Sequence, residues 1–527
     1  MTKFITTAID YPNALPHIGT AFEKIGADVA ARYWRYKGEQ VYFLGGNDEN
    51  TVKVVKKANE LGVPVQQYVD DLVKSFKEVW KRLNISYDDF IQTSEERHRI
   101  GVQQFISAVN DAGFIYKKPF KGFYCEGCEE YKTDGICQNH PKQIVQKEEE
   151  NYFFKLSAFK QFVLDLIYPK PFITVFLDIQ PESRYNEIKN FVENDLQDIS
   201  ISRKNQGWGI PIPWDNDQVI YVWFDALLNY LTGVGFGTDW DKFDKWWGAF
   251  YFPTESSTVH FIGKDITRFH CVLFPAMIKA YNESPSARKK IRFPQSVFAH
   301  GFIYQRENNT LNKVSKSGTY VSPVDLIDKY GSDAYRYYFL SKCSFHEDGE
   351  YNLKHFDEVY KADLANELGN LVGRVVSLVN KNYDGKLPTR PIDSDARIWF
   401  GPEALAQYTH FIESYRYKEC LELIWNIVKS CNKYVEVKKP WELANNDPEA
   451  CFSVLRNLVS GLRIISSLLI PFLPETADKI YNSFQFISTN GSLTSFAENN
   501  LTGFERGVSV NKAFLVDGKY PPLFPKH

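Results

Sequence analysis

The apolar positions begin as a short β-prone run, Phe4 to Ile9, closed by the loop formers Pro12, Asn13 and Pro16. The period then changes. Ala21, Ile25, Val29 and Tyr33 recur every four residues, one face of a helix that Gly38 ends, and Val41 to Leu44 reads as a second strand. Strand, helix, strand predicts a parallel sheet whose ligands sit at the carboxyl ends of its strands. From about Phe120 to Ser202 this alternation is interrupted by a Cys/His cluster, a charged run (Lys147-Glu148-Glu149-Glu150) and an aromatic strand (Asn151 to Phe154). This stretch reads as an insertion between two halves of an α/β domain, and the alternation resumes at Trp208. After about Phe356 the pattern is helical only: Val359, Leu364, Leu368, Leu371, Val375 and Val379 follow one another at helical steps, and later helices run through Tyr415–Val437 and Pro448–Ile470. The tail from Ser488 ends in Tyr520-Pro521-Pro522-Leu523-Phe524-Pro525, expected to lie as an ordered strap on the helices.

The expected fold class is therefore α/β: a Rossmann-like parallel-sheet domain with an insertion, followed by an all-α bundle. The expected domains are 1–119 and 203–302 for the two halves of the sheet domain, 120–202 for the insertion, 303–355 for a connecting region and 356–527 for the bundle. A chain of 527 residues has room for two to four such domains. The net charge of −3 gives no overall basic signal, so any nucleic-acid surface must be a local one. The first residues are too short and too polar for a secretion signal. The most apolar stretch, Leu458 to Leu473, holds Arg463 and Pro471 and reads as a buried helix, not a membrane span. A cytoplasmic protein with no membrane partner is expected. Eight cysteines in this length do not make a disulfide framework.

Three patterns suggest chemistry. Pro16-His17-Ile18-Gly19-Thr20 sits where a strand-end loop becomes a helix, a place where backbone N–H groups favour an anion. Gly19 permits close approach there, and His17 and Thr20 can donate to phosphate oxygens; the same residues could equally form an ordinary capped helix start. Lys313-Val314-Ser315-Lys316-Ser317 places two ammonium groups and two hydroxyls on one loop, suited to a triphosphate, although a solvated loop has the same composition. Cys125-x2-Cys128-x8-Cys137-x2-His140 offers four soft or borderline donors in two pairs, the spacing of a structural Zn2+ site.

The first two motifs resemble the HIGH and KMSKS motifs that flank ATP in class I aminoacyl-tRNA synthetases. Further stretches resemble the methionyl-tRNA synthetases more narrowly. They are Asp10 to Asn13, Phe43 to Asp48, Glu149 with Asn151 to Phe154, Ile179 to Arg184, Ser200 to Arg203, Trp208 to Pro211, Tyr221 to Ala226, Ile262 to Asp265 and Phe298 to Gly301. The resemblance runs nearly the whole chain, to the final Pro-Leu-Phe-Pro. It implies a methionine–tRNA ligase that uses ATP with Mg2+ to activate L-methionine and then charges tRNA(Met). His17, Thr20, Lys313 and Lys316 are the catalytic candidates. Pro16, His17, Gly19, Thr20, Lys313, Ser315, Lys316 and Ser317 are the ATP-binding candidates. An insertion this short is too small for a hydrolytic editing domain.

A methionine pocket also follows from side-chain chemistry. Trp223, Ala226, Leu227 and Tyr230 fall on one helical face, and Ile266 and His270 are four apart on another. A thioether gains from aromatic rings around sulfur, which Tyr11, Trp223, Tyr230 and His270 can supply, and Asp48 can pair with the α-ammonium. By periodicity alone Trp223 and Tyr230 more simply fill the core. The resemblance assigns Ala8, Ile9, Tyr11, Asp48, Trp223, Tyr230, Ile266 and His270 to the pocket, with Ala226 beside them. Asn366, Asn370 and Arg374 stack at steps of four near the charged Lys438-Lys439-Pro440-Trp441, groups that read single-stranded bases by stacking and hydrogen bonds. The resemblance makes Asn370, Arg374 and Trp441 readers of a CAU anticodon. A monomer is expected.

Three positions depart from the family pattern. Thr20 stands where a second histidine is usual, Asn50-Thr51 where His-Gly is usual, and Val314 where Met is usual, with one residue fewer before Gly318.

Overall fold

The opening apolar run forms the strand Thr2–Thr7, with Phe4 and Ile5 buried. The computed structural model describes residues 2–125, 130–132, 135–137, 144–168, 176–248, 256–307, 310–314, 320–387, 401–484, 508–511, 515 and 519–525. Thr2–Thr7 lies inside a six-stranded sheet ordered Asp89–Gln92, Gln40–Asn47, Thr2–Thr7, Ser256–Gly263, Ser296–His300, Asp178–Gln180. Leu44 pairs with Asp89, Thr2 with Ser256 and Ser296 with Asp178, all in parallel. The strand order turns back on itself at Thr2–Thr7, with Gln40–Asn47 on one side and Ser256–Gly263 on the other. Ligands of such sheets bind beyond the carboxyl ends of the strands at that switch point. Ala8, Ile9, Tyr11 and Asp48 all leave the sheet there.

The chain forms two compact units that interleave along the sequence: residues 1–14, 44–74 and 88–299, and residues 15–43, 75–87 and 300–527. The first unit carries most of the parallel sheet. It also holds a second, four-stranded sheet, ordered Glu130–Lys132, Ile115–Cys125, Ile144–Phe154, Ile199–Ser200. Its long hairpin pairs Ile115 with Phe154 and continues in antiparallel register to Cys125 with Ile144.

The second unit holds the helix Ile18–Tyr36, whose Ala21, Ile25, Val29 and Tyr33 are buried as their spacing predicts. The same helix also buries Asp28, which is less expected. Asp28 meets Arg336 at 2.8 Å and Arg32 at 2.7 Å, and accepts from the Ser86 amide at 2.7 Å. Burial works against its charge, but Arg336, Arg32 and Ser86 prevail and hold its carboxyl below the usual range. Arg336, itself without exposure, also donates to the carbonyls of Phe472 at 2.6 Å and Pro471 at 3.0 Å.

The helical bundle contains one surprise of geometry. Tyr360–Gly369 is a π-helix, leading into the α-helix Asn370–Tyr383. A π turn accommodates an extra residue, which accounts for the step of five between buried Val359 and buried Leu364. Further along, Pro448–Leu469 is apolar and long enough to cross a membrane, yet 83% of its most apolar window is buried inside the protein. The tail residues Leu523 and Phe524 are buried, the Tyr360 hydroxyl donates to the Pro525 carbonyl at 2.6 Å, and the hydroxyls of Tyr520 and Ser483 are 2.9 Å apart.

Candidate active site and RNA-binding groove

The aromatic residues expected around a thioether all lie in the first unit. Trp223 stacks flat on Phe269, with centroids 3.8 Å apart and planes 3° apart, and Tyr11 meets Trp223 edge-on at 6.4 Å. Tyr11, Trp223, Ile266 and Phe269 are half-buried, whereas Ala226, Tyr230 and His270 are buried. His270 Nδ1 is 3.0 Å from the Ile266 carbonyl, which can only accept, so that nitrogen carries a hydrogen. In the neutral ring Nε2 then accepts from the Tyr230 hydroxyl, 2.7 Å away. His260 packs on the Tyr230 ring at 4.5 Å and hydrogen-bonds Thr6, while burial, helped by His270, pushes its imidazole down to about 3 and keeps it neutral.

The helical face predicted for Trp223 to Tyr230 is two short helices, Val222–Ala226 and Asn229–Thr232, separated by a break. Likewise Ile266 ends one short helix and His270 belongs to a π-helical turn, Phe269–Leu273. Phe269 was not foreseen, and its one signal in the sequence is its place beside His270.

Asp48 is buried at the end of Gln40–Asn47, its amide bonded to the Asp10 carbonyl at 2.9 Å. Gly46 is required just before it, since a Cβ there would stand 2.8 Å from Ile9. Glu49 turns the other way, toward Gln92 at 3.1 Å and Ser94 at 2.5 Å. Burial pushes its carboxyl up to about 7, although Ser94 and Gln92 pull against that shift. A carboxyl raised on folding stabilises the fold most at low pH, and that contribution is lost as pH rises through about 7. Glu49→Gln is therefore expected to gain relative to wild type between pH 5 and 8, by up to ~3 kcal/mol. Urea unfolding at both pH values checks this, and an equal difference at the two would contradict it.

The two phosphate-type motifs lie in the second unit. His17 is the N-cap of Ile18–Tyr36, and its Nδ1 accepts from Gly19 N–H at 3.1 Å and Thr20 N–H at 3.2 Å. Two amides expected to face an anion thus face the His17 ring. Gly19 serves this ring first, because a Cβ there would sit 3.0 Å from its Cε1. That same point lies 3.8 Å from the Val314 carbonyl, so the two motifs are neighbours. Ile18 N–H to the Val321 carbonyl (3.1 Å) and the Tyr320 hydroxyl to the Pro16 carbonyl (3.1 Å) fasten them together. Thr20 is half-buried. The Lys313 ammonium rests 3.3 Å above the Phe302 ring, so reaching a phosphate requires it to leave that ring. Ser315, Lys316 and Ser317 lie outside the described residues.

One turn after Thr20, Glu23 is buried against Lys24 at 2.7 Å and His300 at 3.2 Å. Burial opposes its charge, and Lys24 and His300 together hold it ionised. In the sequence His300 stands out only as part of the stretch Phe298 to Gly301.

In the helical bundle a groove of 720 Å³ is lined by Gly369, Asn370, Gly373, Arg374, Trp441 and Tyr520, among others. Trp441 is 46% exposed, on a helix that Pro440 opens after Lys439 turns with φ 45°. Asn366 does not line it. The π turns before Asn370 put Ala365, five residues back, on the groove instead.

Cys125 and Cys137 are buried, while Cys128 and His140 lie outside the described residues. Among the described residues no group of three or more His, Cys, Asp or Glu side chains could hold a metal.

A parallel sheet with its switch point at Thr2–Thr7 and a His-x-Gly helix start define a class, and sequence comparison names it. A family model described as tRNA synthetases class I (M) matches residues 3–142 and 133–376, and a model of the anticodon-binding domain of tRNA ligases matches residues 402–511. The chain belongs to the methionine–tRNA ligase family of class I synthetases. It is 37% identical to the methionine–tRNA ligase of Streptomyces coelicolor, over 99% of this chain and 96% of that one. It is also 37% identical to that of Clostridium acetobutylicum, over 97% of this chain and 77% of that one. The crystal structure of Mycobacterium tuberculosis methionyl-tRNA synthetase bound by methionyl-adenylate superposes with a TM-score of 0.87, at 32% identity and over 100% of both chains.

Proposed function

We propose that the chain activates L-methionine with ATP to methionyl-adenylate and transfers the methionyl group to the 3′ end of tRNA(Met), yielding methionyl-tRNA, AMP and diphosphate. The observation that carries this reading is end-to-end similarity to methionine–tRNA ligases in a chain that keeps the aromatic pocket of Tyr11, Trp223, Tyr230 and His270. A thioether seats against aromatic rings, Asp48 takes the α-ammonium, and Ala8, Ile9, Ala226 and Ile266 supply apolar walls. In the first step the methionine carboxylate attacks the α-phosphorus and the bond to the β-phosphate oxygen breaks, releasing diphosphate. Pro16, Gly19, Ser315 and Ser317 shape the triphosphate site, where Mg2+ bound with the ATP would offset phosphate charge. His17, Thr20, Lys313 and Lys316 meet the charge that builds there, by positioning and electrostatics. In the second step a ribose hydroxyl of the terminal adenosine attacks the activated carbonyl and AMP leaves.

Asn370, Arg374 and Trp441 read the CAU anticodon in the groove, with the exposed indole as the stacking surface. Trp441→Ala is expected to raise the KM for tRNA by ~10–100-fold, the worth of one stacked base. A charging KM within about twofold of wild type would remove Trp441 from the RNA site.

Cys125, Cys128, Cys137 and His140 hold a structural Zn2+. Two of these donors, the Cys125 and Cys137 thiols, are buried, Cys125 at the end of the strand Ile115–Cys125, which suits a soft-ligand site. Elemental analysis should find one zinc per chain, and its absence from a folded, active preparation would count against the site. The reading takes the protein as a cytoplasmic monomer, which light scattering checks. The deciding experiment is ATP–diphosphate exchange: methionine should support it. No exchange by a folded chain that still binds tRNA would mean a binding protein, and exchange with leucine or cysteine instead would mean another class I ligase.

A further inference from the structure

A buried chain of hydrogen bonds crosses the first unit close behind the aromatic pocket. Asn50 Nδ2 donates to Asp225 Oδ2 at 2.9 Å, Asp225 Oδ1 meets His98 Nε2 at 3.1 Å, and His98 Nδ1 meets Thr232 Oγ1 at 2.7 Å. Asp225, His98 and Thr232 are essentially without exposure. The Thr232 hydroxyl donates to the Leu228 carbonyl at 3.1 Å, so it accepts from His98, and Nδ1 carries a hydrogen. One proton is then held between Nε2 and Asp225, and the pair is electrically neutral whichever atom carries it. Desolvation raises the Asp225 carboxyl, while His98 and Asn50 oppose that rise.

The arrangement has a regularity. Asn50 stands two residues after Asp48, Asp225 two after Trp223, and Thr232 two after Tyr230. The three segments that carry the ammonium partner and two of the aromatic walls are thus each fastened, two residues downstream, to one histidine chain. The helices bearing Trp223 and Tyr230 have five and four residues, too short to hold themselves in place. The Asn50 amide links this loop both to Asp225 and to the Thr93 carbonyl at 3.2 Å.

We propose that His98, through Asp225, Asn50 and Thr232, is a positioning residue that sets the spacing of the amino-acid pocket. The proposal rests on the reading of that pocket as the methionine site. His98 touches no substrate, and its effect passes through the placement of Asp48, Trp223 and Tyr230.

The test compares wild type with His98→Leu, which removes both links, and with the milder Asn50→Ala and Thr232→Val, which remove one each. ATP–diphosphate exchange is expected to show the methionine KM raised ~10-fold in His98→Leu and by a few-fold in the single-link variants, with the ATP KM within about twofold. Discrimination against leucine should weaken in the same order. A folded His98→Leu with an unchanged methionine KM overturns the proposal, as does an equal rise in the methionine and ATP KM values. A second readout needs no substrate: the near-ultraviolet circular dichroism band that Trp223→Phe removes should change in His98→Leu and in Asn50→Ala. An unchanged band in both overturns the proposal. A changed band in a chain whose wild type performs no methionine-dependent exchange keeps the positioning role and defeats the methionine reading instead.

Discussion

Replacing His17 with alanine is expected to slow methionyl-adenylate formation by ~10²–10³-fold, the usual loss when one preorganised donor is removed. The structure says which donor. Gly19 and Thr20 N–H groups can only donate, so Nδ1, which receives both, must accept. The hydrogen therefore sits on Nε2, which under the proposed function would meet a phosphate oxygen as a neutral donor. The same substitution removes the helix cap and should cost ~1 kcal/mol of stability. His17→Asn separates the two roles: its carbonyl can still cap the helix, but its amide stops short of the phosphate. Asparagine should restore most of the stability and little of the rate. Exchange kinetics beside thermal unfolding give the answer, and an alanine variant within about threefold of the wild-type rate would remove His17 from the chemistry.

The largest expected effect on stability comes from Arg336→Leu, a loss of ~3–5 kcal/mol. The guanidinium is fully buried and meets Asp28 and the carbonyls of Leu83, Phe472 and Pro471. Without it the carbonyls of Phe472 and Pro471 lose their donor, and Asp28 keeps only Arg32 and Ser86. Lysine offers a point charge where a planar fork is needed, so Arg336→Lys should recover only part of the loss. Removing Asp28 and Arg336 together should cost less than the two single losses added, because neither charge is then left alone. Urea unfolding of the three variants measures this, and a loss below about 1 kcal/mol for Arg336→Leu would show that water reaches the site.

The parallel sheet and the helix Ile18–Tyr36 could be read from the sequence because each element declares its own period over several residues. Ala21, Ile25, Val29 and Tyr33 needed no knowledge of what they pack against. The break between Ala226 and Asn229 could not be read, because positions spaced three and four apart look the same on one helix and on two short ones in line. The His17 motif was visible, but a His-x-Gly pattern does not say whether the ring faces a ligand or its own helix. Asn50 was visible as a departure from the family pattern, yet its partner lies 175 residues away, and pairing at that distance leaves no local signature. Counting in fours sets Asn366 on one face with Asn370 and Arg374, and the count fails where the backbone turns π-helical. The step of five from Val359 to Leu364 was the only trace of that turn.

That π segment makes the proposed RNA face tolerant of a one-residue change in chain length. Each α-helical residue advances about 100° around the axis, and a π turn absorbs one residue beyond that count. Deleting a single exposed residue from Tyr360–Gly369, such as Lys361, would allow the segment to close into an ordinary α-helix. Asn370 and Arg374 would keep their identity, their exposure and nearly their bearing relative to the helix Leu353–Val359, whereas the same deletion inside an α-helical stretch turns everything after it by about 100°. A deletion one residue long in the π segment should thus leave tRNA charging near the wild-type level, while one between Asn370 and Arg374 should spare amino-acid activation and impair the proposed anticodon contacts.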